Sequence, residues 1–75
     1  MEVILPALGE GITHATVSYW YFEEGEHVEE GGDLVEMATE KTTFNLPAPA
    51  SGILKKIFFQ VGDIVKIGDV LAIIE

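Results

Sequence analysis

The chain contains no cysteine. Disulfide staples, thiolate-bound metals, iron–sulfur clusters and cysteine nucleophiles are excluded at once. Basic residues are nearly as scarce: four Lys and Arg stand against 13 Asp and Glu, a formal charge of −9 over 75 residues. Nucleic acid and anionic membrane surfaces are bound chiefly by cations that neutralise phosphates, so neither is expected as a partner. Long apolar runs are missing as well. Stretches such as Val3 to Leu8, broken by Pro6, fall far short of the ~20 residues that span a bilayer. The start, Met1-Glu2-Val3, has neither the basic opening of a secretory signal nor the Arg-rich, acid-poor bias of a transit peptide. That pattern favours a bacterial or archaeal cytoplasm over a mitochondrial matrix.

What is present argues for one folded domain over residues 1–75. Hydrophobic residues make up 48% of the chain, too many for a disordered acidic tail, although so short a chain leaves little room for a large catalytic cleft. Eight Gly and three Pro interrupt the sequence every few residues. The runs between them are short and rich in Val, Ile, Phe, Tyr and Thr, the composition of strands rather than helices. Strands are expected near 2–6, 15–22, 27–29, 33–39, 42–48, 52–59, 64–66 and 69–75, with ends uncertain by ~2–4 residues. In the second of these, Val17, Tyr19 and Tyr21 alternate with Ser18, Trp20 and Phe22, so the strand is expected to be covered on both faces, as in a closed or sandwiched all-β domain.

The sequence also repeats itself. Phe22-x-x-Gly25-x-x-Val28-x-x-Gly31 matches Phe59-x-x-Gly62-x-x-Val65-x-x-Gly68 at an offset of 37. An extra Gly in the first copy then aligns Asp33-Leu34-Val35 with Asp69-Val70-Leu71 at an offset of 36. Upstream, Leu5-Pro6-Ala7 matches Leu46-Pro47-Ala48 and Gly11-Ile12 matches Gly52-Ile53 at an offset of 41, so the first half carries four additional residues before Phe22. These are expected to form a surface loop around residues 12–16. Two similar halves imply a pseudo-twofold domain. Residue 41 has no counterpart in it, mapping before Met1 at one offset and beyond Glu75 at the other. The turn around Lys41 is thus the symmetry equivalent of the gap between the termini, and the two are expected at opposite ends of the domain.

Lys41 itself sits where two strand-like runs meet, at Thr39-Glu40-Lys41-Thr42, and is the only Lys or Arg between Met1 and Gly52. By position alone it is an ordinary solvated loop lysine. An exposed amine at a tight turn is also open to acylation, because a modifying enzyme can enclose it without unfolding the sheet. The surrounding sequence decides between these. Leu5-Pro6-Ala7-Leu8-Gly9-Glu10-Gly11, Ala15-Thr16-Val17 through Trp20, Glu24-Gly25-Glu26-x-Val28, Gly32-Asp33-x-Val35-Glu36, Thr39-Glu40-Lys41 and Pro47-Ala48-Pro49-Ala50-Ser51-Gly52 together resemble a lipoyl domain of the acyltransferase component of a 2-oxo acid dehydrogenase complex.

The resemblance implies a flattened β-barrel, or barrel-sandwich hybrid, of two antiparallel four-stranded sheets, with lipoic acid in amide linkage on Lys41 and Glu40 and Thr42 as its flanks. The family usually has Asp before its lysine and often Ala or Val after it. Biotin carrier domains share the fold but resemble Met-Lys-Met at this point, so Glu40-Lys41-Thr42 speaks against biotin. The implied role is a non-catalytic swinging arm that shuttles acyl groups and reducing equivalents. Its implied partners are a lipoate ligase or lipoyl transferase, a thiamine diphosphate-dependent 2-oxo acid decarboxylase, the acyltransferase core and dihydrolipoyl dehydrogenase, with the isolated domain monomeric. Residues Glu10, Gly11, Ile12, Thr13, His14 and Ala15, together with Glu36, are the candidates for decarboxylase recognition. The alternatives are an unmodified barrel acting as an interaction or assembly module, and a biotin carrier domain.

Other residues have plainer readings. His14 and His27, 13 positions apart with no ligand cluster around them, make a poor metal site. The acidic run Glu23, Glu24, Glu26, Glu29 and Glu30 is a solvated turn, with partner steering as the alternative. Trp20, Phe22, Phe58 and Phe59 are expected in the core.

Overall fold

The computed structural model describes residues 1–75. It has eight strands and no helix: β1 (Glu2–Ile4), β2 (His14–Trp20), β3 (His27–Val28), β4 (Asp33–Ala38), β5 (Thr43–Pro47), β6 (Gly52–Ile57), β7 (Ile64–Lys66) and β8 (Val70–Ile74). They form two four-stranded sheets, ordered β1-β8-β6-β3 and β5-β4-β2-β7, with every pairing antiparallel. Advancing each strand of the first sheet by four, cyclically, gives the second sheet in the same order. The internal repeat is therefore a repeat of topology as well as of sequence.

Between the sheets lies one core of 15 buried residues, all apolar. Leu5, Leu34, Met37, Leu54 and Leu71 are its largest fully buried side chains, and each such burial contributes about 1.5–3 kcal/mol. No polar or charged residue is buried, so the interior between the sheets is held by hydrophobic area.

The repeated motif has a physical meaning in its turns. At Gln60 to Asp63, the Asp63 N–H donates to Gln60 O at 3.0 Å while Asp63 Oδ2 accepts the Gln60 N–H at 2.7 Å. Lys66 and Asp69 repeat the reciprocal pair at 3.0 and 3.0 Å, and Glu23 and Glu26 at 3.1 and 2.6 Å. The third residue of each turn is a glycine with φ between 92° and 95°, the left-handed value that this turn position requires and other residues resist. A fourth turn, from Glu29 to Gly32, lacks the carboxylate because the extra glycine occupies its place. There a different donor is held: Ser51 Oγ accepts the N–H of the turn's second residue, Glu30, at 2.9 Å.

Four expectations need correction. The loop placed at 12–16 lies at 5–13, because residues 14–16 are the first three of β2 and pair with β7. The alternation read through β2 breaks at a bulge: Val17 pairs with Met37 but Tyr19 with Glu36, so the extra Ser18 inverts the phase. Val17 is buried while Tyr19 and Tyr21 are exposed. Trp20 then turns inward against the core and donates its Nε1–H to Phe59 O at 2.9 Å. Phe58 is 50% exposed while Phe59 packs on the core, since neighbours along an extended chain face opposite ways. Finally, the acidic run is not simply solvated. Glu26 closes its turn, Glu24 Oε2 accepts the Ile57 N–H at 2.8 Å, and Glu29 Oε2 accepts from Ser51 Oγ at 3.2 Å.

Candidate functional site

β4 and β5 are paired up to Ala38 and Thr43, which leaves Thr39 and Thr42 to close the connection and Glu40-Lys41 as its tip. Hairpin tips this short usually require positive φ at the central residues, yet every residue with positive φ in this chain is a glycine. The Thr39 hydroxyl compensates. Its Oγ1 accepts the N–H groups of Lys41 at 3.3 Å and Thr42 at 3.1 Å, and donates to Thr42 O at 3.0 Å, while the Thr39 N–H donates to the same carbonyl at 2.8 Å. Thr39 thereby holds the tip in the manner of a hydroxyl-capped turn. Sequence reasoning had it only as part of a motif. Its signal was a threonine at the first position of a four-residue turn.

Lys41 is exposed and has no carboxylate within ion-pairing distance; the sole ion pair of the protein joins His27 to Glu29 at 3.5 Å. Glu40, adjacent in sequence and also exposed, does not neutralise it. The amine is thus presented, unpaired, at a fixed turn.

The 5–13 loop comes up beside this turn. Gly11, Ile12, Thr13 and His14 share a small hollow of about 30 Å³ with Thr39 and Glu40. A larger groove of about 300 Å³ is lined by Leu8, Ile12, Thr39, Lys41, Thr42 and Phe44. Most of the loop residues singled out from sequence therefore do meet the lysine hairpin. Glu10 lines neither hollow but is exposed on the same loop. Ala15 must be removed from any contact surface: it is 1% exposed, the first inward-facing residue of β2. Glu36 lies three residues before Thr39 on β4, half-exposed and opposite Tyr19 and Asn45 in register. His14, with Nδ1 3.0 Å from Thr13 Oγ1, belongs to the lysine end, whereas His27 pairs with Ile53 in the other sheet.

The chain termini occupy the opposite end. Met1 and Ile74 exchange backbone hydrogen bonds at 2.6 and 2.8 Å, and the Glu75 N–H donates to Ile53 O at 2.9 Å. Ile53 and Gly52 in turn pair with β3, and β8 runs to this point from Val70, just after Asp69, whose carbonyl accepts the Leu5 N–H at the start of the 5–13 loop. A hollow of about 410 Å³ lies over β8 and is lined by Glu2, Phe58, Phe59, Asp69, Val70 and Ile73.

Comparison with known proteins agrees with this geometry. Residues 1–74 match the family described as biotin-requiring enzyme, the biotin and lipoyl attachment domains. The dihydrolipoyllysine-residue succinyltransferase component of the 2-oxoglutarate dehydrogenase complex of Bartonella vinsonii is 39% identical over 99% of the chain. The dihydrolipoyllysine-residue acetyltransferase component of the pyruvate dehydrogenase complex of Corynebacterium glutamicum is 36% identical over 97%. The chain spans only 18% and 11% of the lengths of these two relatives. Among solved structures, the lipoyl domain of the 2-oxoglutarate dehydrogenase complex of Azotobacter vinelandii superposes with a TM-score of 0.81 at 28% identity, covering 99% of this chain and 94% of that one. With a two-sheet fold that superposes on that lipoyl domain and a family model matched over residues 1–74, the chain belongs to the biotinyl/lipoyl attachment domain family.

Proposed function

We propose that Lys41 carries lipoic acid in amide linkage and that the domain serves as the swinging arm of a 2-oxo acid dehydrogenase complex. The observation that carries this reading is the unpaired, exposed Lys41 amine, held at the tip of a turn fixed by Thr39. The acyltransferase relatives favour lipoate over biotin, as do the flanks Glu40 and Thr42.

The residues present fit such a group. The amine is free to form an amide, which would change the formal charge from −9 by one further negative unit, and an apolar groove lies directly beside it. A bound dithiolane would supply the chemistry that a chain without cysteine lacks, namely sulfur able to take an acyl group and to cycle between disulfide and dithiol. The protein's own part is presentation. Thr39 fixes the backbone at the arm's root, and the barrel keeps that root at the end remote from the termini. Tethering converts successive encounters into effectively intramolecular ones, at effective concentrations of order mM for short flexible links.

The partners implied are a lipoate ligase or lipoyl transferase, a thiamine diphosphate-dependent decarboxylase, the acyltransferase core and dihydrolipoyl dehydrogenase. Glu10, Gly11, Ile12, Thr13 and His14 would meet the decarboxylase, beside the hairpin it must approach. A bacterial or archaeal cytoplasm is the proposed setting, with the isolated domain monomeric. The test is intact-mass and peptide mass spectrometry after incubation with a lipoate ligase, lipoate and ATP. A single lipoyl addition on Lys41, absent from Lys41→Arg, is the expected result. No addition by an active ligase would return the domain to an unmodified interaction module, and avidin capture after biotin ligase treatment would make it a biotin carrier.

A further inference from the structure

The barrel closes at its two ends with very different lengths of chain. β5 and β6 are joined by four residues, 48–51, whereas their symmetry counterparts β1 and β2 are joined by nine, 5–13. Barrel closure therefore needs only the shorter link, and the surplus occurs only at the lysine end. That surplus builds a wall. Leu8 packs against the core from the loop, Phe44 packs against it from β5, and half-buried Ile12 completes the side of a groove of about 300 Å³ whose rim is Thr39, Lys41 and Thr42. Small-molecule sites run from ~300 to 1,000 Å³, so the groove is large enough for one slender apolar group.

The side chain best placed to fill it is the one already lining it. Lys41 has no ion-pair partner, and amide formation removes the charge that keeps its end in water, leaving an arm whose far portion is hydrocarbon and a sulfur ring. We infer that the lipoyl group on Lys41 folds back into this groove between visits to its partners, with Leu8, Ile12 and Phe44 as its resting surface. This rests on the lipoyl-lysine reading above. The arm then exists in two populations, docked and extended, and a partner active site draws on the extended one.

The experiment is NMR on the domain lipoylated at Lys41, with the modification first verified by mass. The expected result is a set of nuclear Overhauser contacts from the dithiolane ring protons to the Leu8 and Ile12 methyl groups and the Phe44 ring, with shift changes relative to the unmodified domain centred on those residues. Ile12→Ser, on an exposed loop that the barrel does not need for closure, should remove most of that contact intensity while leaving the spectrum of the sheets unchanged. A verified lipoylated domain whose shift changes stop at Glu40, Lys41 and Thr42, with no contacts to the three apolar residues, overturns the resting groove and leaves the attachment site standing. Absence of any mass increase on Lys41 removes both.

Discussion

The two ends of the barrel are built on one topological frame, yet they use it in opposite ways. At the terminal end the chain is tied down closely: Ala48 exchanges backbone bonds with Gly31 and Gly32 at 2.9 Å each, Ser51 bridges Glu29 and Glu30, and Glu75 is bonded to Ile53. At the lysine end a link more than twice as long is fastened only at its two ends, by Leu5 N–H to Asp69 O at 3.1 Å, Gly68 N–H to Leu5 O at 2.9 Å and Ile67 N–H to Thr13 O at 3.2 Å. Residues 6–12 between them make just the local bond from Ile12 N–H to Gly9 O at 3.3 Å. Elements with few tertiary bonds are those from which binding loops are drawn. The comparison teaches that departures from the internal symmetry mark function here, while the symmetric remainder marks stability. Substitutions at the two ends should therefore separate the two properties.

The largest effect should come from Lys41→Arg, which keeps the charge but offers no acylable amine. Lipoyl addition should vanish entirely, while urea unfolding changes by no more than about 0.5 kcal/mol, as for other exposed unpaired positions. Gly52→Ala at the other end should give the reverse. An added Cβ would lie 2.9 Å from the Glu75 carbonyl carbon and 3.0 Å from Ile74 Cγ2, on a backbone at φ +157°. Overpacking of this kind costs roughly 1–3 kcal/mol. The midpoint of unfolding should fall accordingly, and the rate of lipoylation of the folded domain should not.

Thr39→Val lies between these extremes because it touches both properties. It removes the acceptor for the Lys41 and Thr42 N–H groups, and a lost hydrogen bond at a solvent-accessible turn costs about 1 kcal/mol. The hairpin tip should also lose its fixed shape, slowing the ligase, and Thr39→Ser should restore both. Equal slowing by Thr42→Val, which removes a hydroxyl that bonds only to Thr43 O, would assign the effect to lost polarity near the lysine rather than to the turn.

Much of this contrast was legible in the sequence. Glycines at fixed offsets locate the turns, the break in those offsets shows that extra residues enter the first half without showing that the loop spans 5–13, and the unpartnered position 41 locates the end remote from the termini. What escaped was governed by contacts that no periodicity encodes. The bulge at Ser18 inverts the faces of Tyr19 and Tyr21, because register is set by the partner strand β4 rather than by the alternation within β2. Ala15 falls both in the expected strand 15–22 and in the loop expected around 12–16, because the repeat shows that residues are inserted but not where β2 resumes. Thr39 was hidden among the flanks of Lys41, since its role lies in hydrogen bonds back to the turn and not in residue type alone.

The smallest expected change in stability, and the finest test of the comparison, concerns the loop surface. Glu10 and His14 are exposed, and the one side-chain bond either makes is that between His14 and its neighbour Thr13, so Glu10→Gln and His14→Ala should each alter unfolding by less than about 0.5 kcal/mol. A ligase that needs only the hairpin should modify both variants at the rate of the parent domain. A decarboxylase that must also seat the loop beside the hairpin should reductively acylate them severalfold more slowly. Matching substitutions at the terminal end, in the exposed Glu30, leave its backbone bond to Ser51 intact and should change neither rate. If Glu30→Gln slowed the decarboxylase as much as His14→Ala, recognition would follow the net acidity of the whole domain, and the loop would lose its claim to a separate role.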